Sequence, residues 1–388
     1  MRNIAVFTGT RAEYGLLYWI INSLHKSSDA NLQLLVGGMH LSPEFGYTVS
    51  QIEDDGFPVA ERLEFLLSSD SAIAISKSMG LAIMAAAEAL DRQKPDVLVL
   101  LGDRFESLAV AQAALLARIP IAHIHGGETT EGLIDEAIRH SITKMSHLHF
   151  TSTEDYRNRV IQLGEQPKYV FNTGAPGIDS IVKLSLLSKD ELSASINFDL
   201  DKPYFVITYH PVTLREGGGL SALQSLLDAL DENKDYKAII SYPNADTDGR
   251  QLIKLLEDYE SKNPDRVLLV RSLGQLRYLS ALKHCTAVLG NSSSALIEAP
   301  TFGVPTLNIG DRQKGRIYGN TVINCGESKR EIQDGIEKVL NPEFQKQCKE
   351  AVNPYGLGDA SDKIIDKLLT LPLDNLIEKA FYNIGVDK

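Results

Sequence analysis

The stretch VLVLLGDRFESLAVAQAALLARIPIAHIHGGE, residues 97–128, decides the fold class of this chain. It begins with an apolar run, Val97–Gly102, passes through a polar turn into a helical segment, Ser107–Ala117, and returns to an apolar run, Ile119–Ile124. Near-continuous apolar strands that alternate with helices are typical of a parallel sheet covered on both faces. The stretch therefore predicts a doubly wound α/β architecture.

The same alternation recurs along all 388 residues, which is longer than a single core usually grows, so two domains are expected. Further helical segments are expected at Tyr14–His25 and Ile73–Leu90. The first series of predicted strands is Ile4–Thr8, Leu32–Gly37, Val97–Gly102, Ile119–Ile124, Leu148–Thr151 and Tyr169–Thr173. The second series is Tyr204–Tyr209, Lys237–Ser241, Val267–Val270, Ala287–Gly290, Pro305–Asn308 and Thr321–Asn324.

These series predict two Rossmann-like domains with a cleft between them. We expect the first domain at 1–180, a hinge without strand pattern at 181–202, the second domain at 203–358 and a helical tail at 359–388. Ligands of open α/β sheets bind beyond the carboxyl ends of the strands. Candidate residues are therefore judged by whether they follow a strand.

The composition excludes several partners. A net charge of -12 without a Lys/Arg block argues against a nucleic acid or an anionic membrane as partner. The three cysteines are far apart and show no metal-ligand spacing, so neither a metal nor a disulfide is expected, and they are interpreted as small buried residues. No signal peptide is indicated, and the longest apolar helical stretch, Leu81–Leu90, is too short to span a bilayer. A cytoplasmic location is expected.

Two polar turns follow strands of the first series. GTRAEYG at 9–15 opens a helix, whose free N–H groups and Arg11 suit a phosphate, although a plain turn fits equally well. GDRFE at 102–106 places Asp103 at a strand end, either as the cap of the next helix or as an acid or base in the cleft.

A dense group of titratable residues follows the strand Ile119–Ile124. HIHGGE at 123–128 contains His123, His125 and Glu128, and Asp135 begins the next predicted helix, 135–146. Core histidines satisfied by hydrogen bonds are the alternative, but so many ionisable groups in one short stretch favour a catalytic site.

Three features of the second series suit an anion. His210 ends the strand Tyr204–Tyr209, and Pro211 fixes the backbone after it. Asn291, Ser292, Ser293 and Ser294 lead from a strand into a helix expected at 295–301, as in a diphosphate cradle, and Glu298 could accept two ribose hydroxyls. The loop 310–316 is a flexible basic clamp or a solvated surface loop, and its candidate residues are Arg312, Gly315 and Arg316.

Taken in order, these segments resemble the UDP-N-acetylglucosamine 2-epimerase family, and in particular its hydrolysing, sialic-acid-pathway branch. The resemblance covers nearly the whole chain up to Pro354. The resemblance rests on seven motifs, which are GTRAEYG at 9–15, GDRFE at 102–106, HIHGGE at 123–128, IDEAIRHSITK at 134–144, TYHP at 208–211, GNSSSALIEAPTFGVP at 290–305 and NIGDRQKGR at 308–316.

The resemblance implies a glycosyltransferase-B-like fold and a UDP-sugar substrate, with no cofactor. It implies that Ser292, Ser293 and Ser294 hold the diphosphate, that Glu298 holds the ribose, and that Arg11 and His210 reach the phosphates. Asp103, Glu128 and Asp135 match, or lie beside, acidic positions that the family uses for chemistry. Relatives often carry a glutamate where this chain has His125, so either His125 or Glu128 takes that role.

The implied reaction removes the C2 proton of UDP-N-acetylglucosamine with loss of UDP. Water then adds to the 2-acetamidoglucal intermediate and yields N-acetylmannosamine for sialic-acid-type biosynthesis. The alternatives are the same reaction on UDP-2,4-diacetamido-2,4,6-trideoxyglucose, used for legionaminic acid, a UDP-sugar-dependent glycosyltransferase, a non-hydrolysing epimerase and a sugar-nucleotide sensor without turnover. A homodimer or homotetramer is expected by family likeness alone.

Overall fold

The computed structural model describes residues 1–69, 71–130, 134–210, 219–243 and 249–385. The chain divides into two compact units. Unit 1 contains Met1–Ser180 and Tyr355–Lys388, and unit 2 contains Ile181–Pro354. Each unit is built on one parallel sheet flanked by helices, so the predicted fold class of two doubly wound α/β domains is confirmed.

Unit 1 contains a seven-stranded sheet in the order β3-β2-β1-β4-β5-β6-β7, with every neighbouring pair parallel. Its strands are β1 (Arg2–Thr8), β2 (Ala30–Gly37), β3 (Val59–Leu63), β4 (Val97–Leu101), β5 (Ile121–Ile124), β6 (Leu148–Thr151) and β7 (Val170–Asn172). Its helices are α1 (Arg11–Lys26), α2 (Val49–Asp54), α3 (Ala72–Gln93), α4 (Phe105–Leu116), α5 (Ile134–Met145) and α6 (Glu154–Gln162). Helix α7 (Pro176–Lys183) crosses the boundary into unit 2.

Unit 2 contains a six-stranded parallel sheet in the order β10-β9-β8-β11-β12-β13. Its strands are β8 (Tyr204–Thr208), β9 (Lys237–Ser241), β10 (Val267–Val270), β11 (Ala287–Gly290), β12 (Thr306–Ile309) and β13 (Val322–Cys325). Its helices are α8 (Lys189–Ile196), α9 (Leu220–Leu230), α10 (Gly249–Lys262), α11 (Gly274–His284), α12 (Ser293–Ile297), α13 (Lys329–Leu340) and α14 (Pro342–Lys349).

The C-terminal segment belongs to unit 1. Helix α15 (Ala360–Thr370) packs on α1, and Asp179 accepts the backbone N–H groups of Ala360 and Ser361 at 3.0 and 2.7 Å. The segment 181–202 contains α8, which packs on α11 within unit 2. Whether this segment acts as a hinge, with the boundaries expected from sequence, stays a prediction.

The structure differs from the sequence-based expectation in three elements. Strand β3 was not expected, because its half-exposed sequence VAERL lacks an apolar run. Helix α12 ends at Ile297, and a short 3-10 helix, Ala299–Phe302, follows it, because Pro300 cannot continue an α-helical ladder. Helix α3 is longer than the expected apolar stretch.

By length and composition alone, α3 is apolar enough to cross a membrane. Such a helix is weak evidence of a span, since core helices pass the same test. Ala82, Ala86 and Leu90 of α3 are buried in the core that also contains Leu98 and Leu100 of β4. The helix is therefore part of the unit 1 core.

Each sheet is covered by apolar clusters from its own helices. Cys285 and Cys348 are buried free thiols, as expected. Cys325 is only half-buried, because it ends the edge strand β13.

Candidate active site

The turns after β1 and β2 meet at the carboxyl edge of the unit 1 sheet. Thr10 and Glu13 form a capping box at the start of α1, in which Oε2 of Glu13 accepts the N–H groups of Gly9 and Thr10 at 2.7 and 3.1 Å. The N–H of Met39 donates to the carbonyl of Gly9 at 3.0 Å. Arg11 is exposed in the first turn of α1, where a guanidinium can reach an anion.

Glu13 and Glu106 are two buried acids beside this turn. Burial raises the pKa of Glu13 to about 7, against the lowering effect of the Gly9 N–H, and the charge of Glu106 raises it further. Oε1 of Glu13 is buried and has no hydrogen-bond partner among the described residues. Arg104 binds Glu106 through both carboxylate oxygens, at 3.2 and 2.9 Å. The buried Glu13 is therefore costly to ionise.

A Glu13→Gln variant is expected to be more stable than the parent at pH 8, by about 1–3 kcal/mol, and equally stable at pH 5. The folded-state pKa lies above that of an unfolded glutamate. The contribution of Glu13 is therefore fully present below about pH 4.5 and is lost as the pH rises through about 7. Urea unfolding at both pH values measures the difference.

Glu331 provides a matched control for this prediction. It closes the same kind of capping box on α13 with Ser328 but is exposed, and its pKa is lowered by the Ser328 hydroxyl and N–H. Glu331→Gln should therefore reduce stability at pH 8. Equal responses of the two variants would show that burial does not set the ionisation of Glu13.

Asp103 follows β4 and pairs with a buried arginine. The N-cap position of α4 is Arg104, without a side-chain cap bond, so the interpretation of Asp103 as a helix cap is wrong. Instead, Nη2 of Arg139, on α5, donates to Oδ2 of Asp103. Nη1 of Arg139 donates to the carbonyl of Glu128 at 2.9 Å. Because a buried guanidinium needs such partners, Arg139 ties the turns after β4 and β5 together.

Asp135 lies half-buried in the first turn of α5. Its negative charge acts on Arg104. Burial lowers the pKa of Arg104, but the charges of Glu106, Glu13 and Asp135 outweigh this effect, so the pKa is raised. The predicted acids Asp103, Glu128 and Asp135 thus belong to one charged neighbourhood of unit 1.

His123 is a satisfied core histidine. Its Nε2 lies 2.8 Å from the carbonyl of Gly102, and its Nδ1 lies 3.1 Å from the hydroxyl of Thr143. Burial lowers the pKa of His123 to about 3, so the ring is neutral. Since a carbonyl only accepts, Nε2 carries the proton, and His123 fixes the backbone just before Asp103.

His125 and Glu128 form a close pair after β5. Nδ1 of His125 lies 2.5 Å from Oε1 of Glu128, and the hydroxyl of Ser152 donates to the same oxygen at 3.0 Å. Gly127 between them has φ +81, and a Cβ there would lie 2.3 Å from the carbonyl oxygen of Tyr156. Only glycine permits this approach of the turn to α6.

In unit 2, Asn291 joins three loops at the carboxyl edge of the sheet. Its side chain accepts the N–H of His210 at 2.7 Å and donates to the His210 carbonyl at 3.0 Å. Its carbonyl accepts from Arg312 at 3.1 Å and from Gln313 at 2.8 Å. Asn291 therefore ties His210, at the end of β8, to the turns that follow β11 and β12.

Burial, and secondarily the charge of Arg312, lowers the pKa of His210 to about 4. His210 is therefore neutral near pH 7 and retains one N–H donor. Pro211, expected to fix the backbone after it, lies outside the described residues.

The three serines after β11 are in different environments. Oγ of Ser294 donates to Oε2 of Glu298 and accepts from Oη of Tyr278 at 2.5 Å. Burial raises the pKa of Glu298 to about 7. Ser292 occupies the N-cap position of α12 without using its side chain as a cap. Ser292 and Ser293 are half-exposed, which suits the predicted diphosphate contact.

The basic loop 310–316 is compact. Backbone hydrogen bonds of 2.9 and 3.1 Å run from Lys314 to Asp311 and from Arg316 to Gln313, and Gly315 has φ +85. The loop borders a cavity of about 550 Å³ at the ends of β12 and β13, where Asn308, Gln313, Tyr318 and Glu327 are among the lining residues. The described residues contain no group of three or more His, Cys, Asp or Glu side chains arranged to hold a metal ion.

Comparisons with known proteins decide the family. The family model for UDP-N-acetylglucosamine 2-epimerase matches residues 22–369. The chain belongs to the UDP-N-acetylglucosamine 2-epimerase family. The resemblance drawn from its motifs is thereby confirmed.

Three relatives of this epimerase family cover nearly the whole chain. A GDP/UDP-N,N'-diacetylbacillosamine 2-epimerase (hydrolyzing) from Campylobacter jejuni is 40% identical over 99% of each chain. A UDP-N,N'-diacetylbacillosamine 2-epimerase (hydrolyzing) from Legionella pneumophila is 35% identical over 97% of this chain and 98% of its own. The polysialic acid biosynthesis protein P7 of Escherichia coli is 39% identical over 92% and 90%.

The fold agrees with that of solved epimerases. The UDP-GlcNAc 2-epimerase from Neisseria meningitidis, crystallised with UDP-GlcNAc, matches with a TM-score of 0.82 and 23% identity over 96% of this chain and 100% of that one. This similarity supports the glycosyltransferase-B-like fold, with two Rossmann-like domains, expected for the epimerase family.

Sequence reasoning missed three residues that contact or lie beside candidate site residues. Ser152 follows β6 and was detectable as a further polar residue at a strand end. His40 follows β2 and was detectable in the same way. Its Nε2 lies 3.0 Å from the hydroxyl of Thr8, and its Nδ1 lies 2.7 Å from the hydroxyl of Thr48. Tyr278 lies inside an ordinary helical pattern on α11, and no signal marked it.

Proposed function

We propose that the protein is a hydrolysing 2-epimerase that converts UDP-2,4-diacetamido-2,4,6-trideoxyglucose and water into the corresponding free 2-epimer, a mannose-type sugar, and UDP. The sugar of this substrate, 2,4-diacetamido-2,4,6-trideoxyglucose, is N,N'-diacetylbacillosamine. The proposed substrate rests on two full-length hydrolysing relatives, at 40% and 35% identity, whose names both specify this sugar. The first name gives GDP or UDP as the nucleotide, and the second gives UDP. The order of preference of the two candidate substrates differs from that expected from the motifs, which placed UDP-N-acetylglucosamine first.

The chemistry requires a base near the sugar C2 atom, because the C2 proton is only weakly acidic. Unit 1 supplies Asp103, Glu128, His125 and Asp135 at or beside strand ends, with Arg139 bonded to Asp103 and to the Glu128 backbone. We propose that these groups remove and return the C2 proton as UDP leaves and water adds. Inversion at C2 requires proton transfer on two faces of the sugar, which suits several acid–base groups.

Unit 2 supplies groups that suit UDP. Departure of UDP places negative charge on an oxygen of the β-phosphate, and fixed N–H and O–H donors stabilise it. We propose that His210, Ser292, Ser293, Arg312 and Arg316 serve this purpose, together with Asn291, Ser294 and Gly315, which fix the loops. Arg11 of unit 1 is assigned to the phosphates and Glu298 to the ribose hydroxyls.

UDP-N-acetylglucosamine is the second candidate substrate. The 39% identical polysialic acid biosynthesis protein P7 favours it, since that name links a relative to sialic acid. The two substrates differ only by an acetamido group at C4 and by the absence of the C6 hydroxyl. A site shaped for one of them should discriminate strongly, because an unmatched buried polar group is costly.

Parallel assays with the two UDP-sugars test the substrate. We expect kcat/KM for UDP-2,4-diacetamido-2,4,6-trideoxyglucose to exceed that for UDP-N-acetylglucosamine by about 100-fold or more. A ratio near one or below it would reject the proposed substrate. UDP release that depends on an added acceptor sugar would instead indicate a glycosyltransferase, and tight UDP-sugar binding without turnover would indicate a sensor.

The proposed setting is a cytoplasmic homo-oligomer. Ile73 and Met84 on α3 and Leu116 on α4 are large apolar side chains with 70%, 64% and 82% of their surface exposed. Such a surface on neighbouring helices suits contact with a second copy. Light scattering at several protein concentrations would test this, and a monomer throughout would reject it.

A further inference from the structure

One ring nitrogen beside the proposed catalytic acids lacks a partner among the residues that the structure describes. Nε2 of His125 is buried and has no hydrogen-bond partner among the described residues, whereas Nδ1 lies 2.5 Å from Oε1 of Glu128. Buried polar atoms in proteins are nearly always paired. The side chain of His125 as a whole is 12% exposed, although the Nε2 atom itself is buried. A molecule bound at this turn would supply the partner that Nε2 lacks among the described residues.

The partner of Nδ1 fixes which nitrogen carries the proton. A carboxylate can only accept a hydrogen bond, so the neutral ring donates from Nδ1 to Glu128 and presents a bare lone pair at Nε2. The hydroxyl of Ser152 donates to the same carboxylate oxygen at 3.0 Å. Ser152 is itself buried, so this contact is fixed. Two donors on one oxygen hold Glu128 in place against the ring.

The backbone of His125 is strained in support of this arrangement. His125 has φ +64, in the left-handed region that non-glycine residues rarely adopt. Its N–H donates to the carbonyl of Phe150 at 3.0 Å, which anchors the strained residue to β6. Strain of this kind persists only where the surroundings over-determine it, and it clusters at functional sites.

We propose that Nε2 of His125 is the base that takes the C2 proton, with Glu128 as the carboxylate that orients the ring and Ser152 as a positioning residue for Glu128. This inference rests on the proposed function. The electron pair of the C2–H bond forms the C1–C2 double bond, and the C1–O bond breaks with its pair leaving on UDP. The resulting imidazolium faces the Glu128 carboxylate, which stabilises its charge.

Charged and titratable groups surround His125. Glu128 is bonded to the ring directly, Arg139 is paired with Asp103, and Arg159 of α6 donates to the Gly127 carbonyl. The titratable or charged groups on the surrounding elements include Asp103, His123, Glu128, Asp135, Glu136, Arg139, His140, Lys144, His149 and Arg159.

Substitution of His125 gives the first test. His125→Gln should lower deuterium incorporation at C2 by about 100-fold or more, because it removes the base. His125→Glu should retain more activity than His125→Gln. Turnover of His125→Gln above a tenth of the parent value, or a His125→Glu variant no more active than His125→Gln, would overturn the proposal.

Ser152→Ala tests the positioning role against a matched control. We expect kcat to fall about tenfold with KM unchanged, because a hydrogen bond to a charged group is lost. We also expect the acidic limb of the pH profile of kcat to be displaced. Ser146 is equally buried, but its hydroxyl donates to the carbonyl of Ile142 at 2.7 Å, so Ser146→Ala should leave kcat and the pH profile intact. Identical profiles for the two variants would reject the role of Ser152.

Nitrogen-15 NMR of histidine-labelled protein gives a readout that needs no turnover. The signals of His125 are identified by their loss in His125→Gln. In the neutral ring we expect a protonated Nδ1 and a bare Nε2, and a mixture of tautomers in Glu128→Gln. A protonated Nε2 in the neutral parent ring would overturn the inference. Absence of turnover with a correct tautomer would instead reject the proposed function.

Discussion

An Asp103→Asn variant is expected to remain folded and to lose turnover by about 10²- to 10⁴-fold. Asparagine keeps the shape of the side chain and an oxygen for Arg139, but it can neither take up a proton nor balance the guanidinium charge. Arg139 is almost fully buried, so loss of the charge should also lower the melting temperature. Steady-state release of UDP, measured well below that melting temperature, separates the two effects.

Asp91→Asn is the control for this substitution. Asp91 is exposed in the last turn of α3 and is not a candidate site residue, so the same chemical change there should leave kcat and stability within error. Full turnover by Asp103→Asn would remove Asp103 from the proposed proton transfers and leave it only as the partner of Arg139.

Gly290→Ala is expected to destabilise the protein by about 3 kcal/mol and to abolish measurable UDP binding. Gly290 has φ +131, and a Cβ there would lie 2.1 Å from the carbonyl oxygen of Thr208 on the neighbouring strand β8. Relief of this clash must move the end of β11, and with it Asn291 and the serine loop. Urea unfolding and titration with UDP measure the two effects.

Gly80→Ala, the same substitution at a different glycine, is expected to have the opposite effect on stability from Gly290→Ala. Gly80 lies inside α3, and a Cβ there would meet no atom within 4 Å, so alanine should stabilise the helix by about 0.5–1 kcal/mol. A Gly290→Ala variant as stable as Gly80→Ala would contradict the close approach of β11 to β8.

The architecture was predictable from the sequence because buried parallel strands are apolar along their whole length. Runs such as Val97–Gly102 and Ala287–Gly290 identify their strands within one or two residues. Strand β3 was not predicted because an edge strand can be half exposed and polar, as it is at Glu61 and Arg62. The length of α12 depended on Pro300, whose effect was overlooked.

The site was predictable only as a set of strand-end residues. Their sequence neighbourhood could not reveal that Asp103 pairs with Arg139, 36 positions away, or that Ser152 bonds Glu128. These contacts arise from the order of β4, β5 and β6 in the sheet, which brings distant turns to one edge. The environments of Ser294 and Glu298 likewise depended on Tyr278 from another helix.

Proton NMR of the protein with UDP-2,4-diacetamido-2,4,6-trideoxyglucose in deuterated water, without acceptor or added metal, tests the central claim most directly. The account predicts free UDP together with a free sugar that is epimerised and carries deuterium at C2, because the C2 proton is removed and replaced from solvent. Release of UDP with the C2 proton retained would contradict proton abstraction at C2, and a deuterated sugar still attached to UDP would contradict the hydrolysing reaction.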